Sequence, residues 1–445
     1  MQEVKMRIGD KLVNLVGIAL KSNEFKTQHK NRPNDFTRMS PLNFPTLFII
    51  ILRKSVKSLQ LILNELFLSN HISEIVTSSA YTQARKKLKH TAFIELNERA
   101  IELYANEEEV KRWKGYRVFG VDASKIILPD RKEIHQEFGT IPIKNQTMED
   151  SYCYAMFECR YDVLNKIAVQ SALQAGNTYE VALAIDMLRK PILSSQSNKD
   201  LDIYDRGYAS YEFLANLTYH NRDYVVRCPQ RSFKVANELF DGTNQMGWSR
   251  IVTIKAPKDV IKKIKSEGLP TEIKARFVSV VLSTGEIEVL ITSLFDESIT
   301  REEFKELYFL RWGVEGFFNL VKGRLGLENF TGKSVESVMQ DFWATIFITN
   351  VESILTQDIE SELNQQKSPS QLPQKINKSV SFNAIKNMAF DIFYSGKDKQ
   401  IVKEQLIQLF KTNTLVQRVN RESPRRKISQ RISHGFQKRK RKHVF

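Results

Sequence analysis

Tyr308, Arg311, Glu315 and Lys322 stand at offsets of zero, three, seven and fourteen along Tyr308-Phe-Leu-Arg-Trp-Gly-Val-Glu-Gly-Phe-Phe-Asn-Leu-Val-Lys322. At about 100° per residue an unbroken helix would hold these four side chains within roughly a 60° sector of one face. A carboxylate held among two cations and a phenol suits phosphate and metal chemistry. Two upstream aspartates keep matching company. Asp122 closes the apolar run Val118-Phe-Gly-Val-Asp122, and Asp205 opens Asp205-Arg-Gly-Tyr208. Three carboxylates on three separate elements can make a two-metal phosphoryl-transfer site.

Singly, each residue has an ordinary reading. Asp122 can cap a turn, and Asp205 can serve Asp-Gly turn chemistry. Glu315, one helical turn after Arg311, is by default an ion-pair partner worth a few tenths of a kcal/mol. Asp202 competes with Asp205, but strand alternation puts the two on opposite faces. Only Asp205 is followed by Arg206-Gly207, where backbone can approach a ligand, so Asp205 is preferred. Gly313 and Gly316 cost a helix roughly 1 kcal/mol each against alanine. They suit close packing of a helix, or close approach of a DNA backbone.

The elements that must position these groups follow from periodicity. Residues 1–108 have helical spacing (Leu59, Ile62, Leu63, Leu66, Phe67) and form the expected DNA-binding domain. Within it, a helix, a polar turn and the basic segment Ala80 to Lys89 with Arg85, Lys86 and Lys87 outline a helix-turn-helix reader. A solvated basic face on an ordinary bundle helix is the plain alternative. From Arg117 short strands and helices interleave, which predicts a mixed α/β sheet over 109–230. Residues 231–300 read as a β-rich insertion, 301–360 as the second part of the core carrying Glu315, and 361–445 as linker, helical segment and tail. From Arg425 to Phe445 there are nine Lys/Arg and no Asp/Glu, a run suited to gripping a phosphate backbone.

At 445 residues two or three domains are expected. A hydrophobic content of 42% with 27% charged residues describes a globular chain, neither disordered nor fibrous. The formal charge of +16 and a pI near 9.5 point to a polyanionic partner. Cys153, Cys159 and Cys228 lack zinc-type spacing and are expected as reduced thiols in a cytosolic setting. No secretory segment follows Met1. Leu47-Phe-Ile-Ile-Ile-Leu52 is too short to span a bilayer and is expected in the core.

The chain resembles the bacterial insertion-sequence transposases of the DDE class that carry the Tyr-Arg-Glu-Lys signature. The resemblance rests on Tyr308-x2-Arg311-x3-Glu315-x6-Lys322, on Asp205-Arg-Gly-Tyr208 and on Val121-Asp122-Ala-Ser, and covers about residues 70–350. Ala123 departs from the glycine that the family often shows there. The resemblance implies an RNase H-like core in which Asp122, Asp205 and Glu315 hold two Mg²⁺ ions, with Mn²⁺ as a substitute. It implies cleavage at terminal inverted repeats, joining of 3′ ends to target DNA, and a homodimer on paired ends in the bacterial cytoplasm, away from membranes. Tyr308, Arg311 and Lys322 would grip phosphates, and Trp312 or Trp248 would hold a flipped base. A nuclease with the same core but no strand transfer, or a non-catalytic DNA-binding protein, are the alternatives.

Overall fold

The computed structural model describes residues 7–55, 57–69, 76–107, 110–142, 151–190, 199–241, 247–368 and 371–417. They fall into two compact units. One takes Met1–Glu107, Ile126–Ala155 and Val321–Phe445; the other takes Glu108–Lys125 and Met156–Leu320. One boundary between units falls between Glu107 and Glu108, and the helices after Val321 belong with those of the N-terminal region.

The first unit is helical. It holds α1 (Arg7–Lys21), α2 (Asn23–His29), α3 (Phe44–Leu52), α4 (Leu59–Ser69), α5 (Ser78–Arg85), α6 (Thr91–Ala105) and α7 (Lys132–Phe138). It ends with α14 (Val335–Gln365), α15 (Lys378–Phe393) and α16 (Lys399–Thr412). Two small antiparallel pairs complete it: β2 (Ile141–Pro142) with β3 (Ser151–Tyr152), and β11 (Gln374–Ile376) with β12 (Thr414–Val416). Every residue of α3 is buried, the place for a helix without a polar face. Among the described residues no helix is long and apolar enough to cross a membrane. The 31-residue α14 packs against α1, α3, α6, α15 and α16 and is buried through most of its length.

Burying α14 also buries polar groups, and those near its start are tied to Arg85. Arg85 donates from Nε to Gln340 Oε1 at 2.6 Å, from Nη1 to Thr331 Oγ1 at 2.6 Å, and from Nη2 to Asp341 Oδ1 at 2.8 Å and the Ser337 carbonyl at 2.9 Å. Thr77 caps α5, its hydroxyl accepting from the Ala80 N–H at 3.1 Å, in keeping with the helix start expected there. The helix is short: it ends at Arg85, and exposed Lys86 and Lys87 occupy the turn that follows.

The second unit is built on a mixed sheet whose strands are β1 (Tyr116–Ile127), β4 (Tyr154–Asp162), β5 (Ile167–Ala175), β6 (Lys199–Tyr204), β7 (Asp223–Cys228), β8 (Ser249–Lys255), β9 (Glu272–Val281) and β10 (Ile287–Thr292). They lie in the order β5-β4-β1-β6-β7-β10-β9-β8. β1, β6 and β7 are parallel, and β10, β9 and β8 follow antiparallel. Parallel neighbours need crossovers, supplied here through α8 (Glu180–Arg189) and α9 (Tyr211–Tyr219). This is a mixed α/β sheet, as the interleaved strands and helices predict. The residues read as a β-rich insertion, with α10 (Lys234–Phe240) and α11 (Ile261–Ser266), extend the edge of this same sheet through β8, β9 and β10.

The two faces of the sheet carry different loads. Val118, Leu201, Ile203 and Val225 pack with Phe304, Leu307 and Tyr308 of α12 (Arg301–Phe309). Val121, Tyr204 and Val226 pack with Ala184 of α8 and Leu214 of α9. Asp202 points to the second face, where Arg160 Nε donates to it at 2.7 Å and the guanidinium lies 3.7 Å from the Phe119 ring centroid.

Asp341→Ala leaves the Arg85 guanidinium buried without its counter-charge. The expected cost is about 3–5 kcal/mol, seen as a lower urea midpoint by circular dichroism. Lys86→Ala and Lys87→Ala, both at exposed positions, should each change stability by less than about 0.5 kcal/mol in the same measurement.

Candidate active site

Each aspartate is set by the strand before it. On β1 the alternation that buries Val118 against α12 turns Asp122 to the same face. Its Oδ1 accepts from the Ala123 N–H at 2.8 Å, and its side chain is 19% exposed. Asp205 follows β6 and caps a single 3₁₀ turn, Arg206–Tyr208, with Oδ1 accepting from the Gly207 N–H at 2.7 Å. A Cβ at Gly207 would stand 3.0 Å from that oxygen, so the tight turn favours glycine.

The single helix expected from Tyr308 to Lys322 is not there. α12 stops at Phe309, α13 (Trp312–Asn319) carries Glu315, and Leu320–Arg324 is a π-helical segment carrying Lys322. Between α12 and α13 the chain tightens: the N–H groups of Arg311, Gly313 and Val314 donate to the carbonyls three residues back, at 3.1, 2.9 and 3.2 Å. Packing explains the corner. A Cβ on Gly313 would lie 2.9 Å from Val163 Cγ1, in the β4–β5 hairpin, and one on Gly120 would lie 3.2 Å from Val314 Cβ. Gly313 therefore serves close packing, while Gly316 faces open space.

The corner aims Arg311 between two carboxylates. Its Nη2 donates to Glu315 Oε1 at 2.7 Å, and its Nη1 lies 3.8 Å from Asp122 Oδ2. The guanidinium is buried, 4.4 Å from the Trp312 ring centroid. Burial opposes its charge, but Tyr308, Glu315 and Asp122 together raise its pKa. Asp122 is pushed up to about 7, chiefly by burial, with Asp205 and Glu180 adding to the shift and the Ala123 N–H and Arg311 opposing it. Glu180, in the first turn of α8, is itself raised by burial and by Asp205. Its electrostatic influence on Asp122 has no signal in the sequence, because an acid in a first helical turn already has a use at the helix dipole. Among the described residues no three His, Cys, Asp or Glu side chains are grouped to hold a metal ion.

The other expected contacts are placed as follows. Tyr308 is core, its ring buried under the sheet and its hydroxyl enclosed without a hydrogen-bond partner among the described residues. Burial pushes it up to about 12. Trp312 opens α13 half-buried, and Trp248 lies beneath Arg276, 5.3 Å from ring centroid to guanidinium. Lys322 is half-buried, and burial lowers its pKa while Glu328 opposes that shift. Arg85 requires correction. The expected DNA contact is instead a structural ion pair, because its donors are spent on Asp341, Gln340, Thr331 and Ser337 inside the helical unit. Part of the polar turn before α5 and the basic tail from Arg425 lie outside the described residues.

A further acid has no signal in the sequence. Glu158 on β4 is 1% exposed, and its Oε1 has no hydrogen-bond partner among the described residues. Burial pushes it up to about 8, with Lys190 opposing and Asp186 and Glu180 adding.

The family model for the transposase DDE domain matches residues 113–351. No curated protein matches the chain. Among solved structures, a piggyBac transposase synaptic complex with hairpin DNA is similar over 95% of this chain and 88% of that one, at 11% identity and a TM-score of 0.45.

Glu158 gives a pH signature. Its folded pKa of about 8 lies above the ordinary 4.5, so its proton stabilises the fold fully below pH 4.5, and that contribution is lost as pH rises through 8. Glu158→Gln does not titrate. Its melting temperature should therefore gain on the wild type steadily from pH 4.5 to 8, then hold a constant lead. A difference independent of pH across that window would show that Glu158 is ionised throughout.

Proposed function

The chain belongs to the transposase DDE-domain family, and from that premise we propose that it is a metal-dependent DNA transposase of a bacterial insertion sequence, cutting terminal inverted repeats and joining the freed 3′ ends to target DNA. One observation carries the reading. Asp122 and Glu315, from a strand and a helix, share the cation Arg311, and Asp205 acts electrostatically on Asp122 from a third element.

The donor set suits a hard divalent cation, since all the groups are carboxylates. Burial chiefly, with Asp205 and Glu180 adding to it, raises Asp122 to about 7, so a cation at the site would favour its ionised form. Arg311 already supplies positive charge between two of the acids. Asp122, Asp205 and Glu315 would be the ligands of Mg²⁺, or of Mn²⁺ in its place, which when bound supplies activation of the attacking water or 3′-hydroxyl and stabilisation of the leaving oxygen.

The chain's own side chains then have distinct work. Arg311 holds Asp122 and Glu315 near one another, and once released from them its planar fork suits a phosphodiester. The Trp312 ring beside the guanidinium limits where that fork can point. The open side of α13 at Gly316 leaves room for a backbone. The formal charge of +16 suits a polyanionic partner such as duplex DNA. Pairing two element ends calls for a homodimer.

Glu315→Gln keeps the shape of α13 and removes one carboxylate. Cleavage of a labelled duplex bearing the element's ends in Mg²⁺ should fall by roughly 10³-fold or more, the scale of losing a group that stabilises transition-state charge. Duplex affinity in EDTA should change little. Cleavage retained by this variant would overturn the assignment.

A further inference from the structure

A second concentration of charge lies within the helical unit. A cavity of about 310 Å³ is walled by the end of α3, the start of α15 and the segment after Lys322. Six of its lining residues are Lys or Arg and one, Glu65, is a carboxylate. Lys57 takes Glu65 at 2.6 Å, and Lys378 pairs with Glu352. That leaves Arg53, Lys54, Arg324 and Lys386, for which no carboxylate lies within ion-pair distance among the described residues.

Three of these cations are removed from water with little to compensate them, while Arg324 stands at the exposed rim. Arg53 and Lys54 are 8% and 7% exposed, and Lys386 is half-buried. Lys54 Nζ donates to the Leu327 carbonyl at 2.7 Å, Lys386 Nζ to the Lys54 carbonyl at 3.1 Å, and Arg53 Nη2 reaches Asn387 Oδ1 at 3.4 Å. Burial brings both lysines down to about 8; Lys54 adds to the effect on Lys386, while Asp341 opposes it at both lysines and Glu328 at Lys54, neither close enough to pair. Buried cations without counter-charges are costly. An anionic ligand with several acceptor oxygens would offset that cost, and the Asn329, Asn383 and Ser379 side chains on the same walls add neutral donors.

We infer that this cavity binds a phosphate group through Arg53, Lys54, Arg324 and Lys386. The phosphate is supplied either by a DNA backbone or by a small phosphate ester. The cavity contains none of the three acids of the proposed active site, so it can be tested without cleavage chemistry, although the DNA source rests on the function proposed above.

The test uses the full chain with Lys386→Gln and, separately, Arg324→Gln, whose exposed position makes misfolding no explanation. Melting is followed with sodium pyrophosphate against sodium chloride at equal ionic strength. Duplex binding is followed by fluorescence anisotropy across a salt series. For a small phosphate, pyrophosphate should raise the wild-type melting temperature by several degrees and neither variant should respond. For a DNA backbone, each variant should bind duplex about tenfold more weakly, with a salt slope shallower by about 0.9 for each phosphate that the cavity no longer holds. Wild-type behaviour of both variants in both assays would overturn the site. So would a loss confined to Arg324→Gln, which would assign that arginine to the surface alone.

Discussion

Carboxylates resist convergence, and the second unit is arranged around the cation that makes it tolerable. Asp122 and Glu315 come from a strand and a helix far apart in the chain, with Asp205 and Glu180 acting on the same region. In a partly desolvated site each added negative charge makes the next ionisation harder, and burial compounds it. Arg311 answers both effects. It keeps its charge despite burial because three groups around it favour the charged form, and it stands beside the two acids whose repulsion it offsets. A guanidinium does this better than an ammonium, since its separate N–H arms can face two carboxylates at once.

For Arg311 to reach that position, the backbone must turn sharply where a regular helix would run straight. The turn rests on small residues at two places. Gly313 sits on Val163, and Gly120 leaves room for Val314, so strand, hairpin and helical corner meet closely enough to bring Asp122 within reach. The tightened hydrogen bonds from Arg311 to Val314 are the local form of the same constraint. Electrostatic convergence therefore depends on steric absence, and a side chain at either glycine would push apart the elements that the charges hold together.

Features encoded locally are legible in the sequence. The Thr77 cap, the buried α3 and the strand before Asp122 depend on neighbours a few residues away, and they stand where spacing and residue type place them. The choice of Asp205 over Asp202 agrees with alternation on β6, which ties Asp202 to Arg160 on the opposite face. Features set by distant partners are hidden. The break in the helix depends on Val163, and the inward turn of Arg85 depends on Asp341; neither is visible in the segment concerned. β7 carries little signal of its own, because its central residues are buried on both sides, which erases the alternation that marks a half-exposed strand. Glu158 has no distinguishing company at all in the sequence.

The two charged places in the chain obey one rule with the signs exchanged. At the acids, compensation is internal: an arginine delivered by a tight corner lies between Asp122 and Glu315. In the cavity of the helical unit compensation is weaker: Glu65 and Glu352 are already paired, Asp341, Glu328 and Glu65 act on the buried cations only from beyond ion-pair distance, and those cations donate to carbonyl and amide oxygens. An internal counter-ion can be exchanged for a ligand of like charge, so the acids are suited to trading Arg311 for a metal. A cation cluster with no paired counter-ion has no ion pair to give up and gains the attraction of an incoming anion, limited by the desolvation of that anion. The acids thus favour a partner that displaces a bond, and the cavity favours one that completes a set, which is why the two call for ligands of opposite charge.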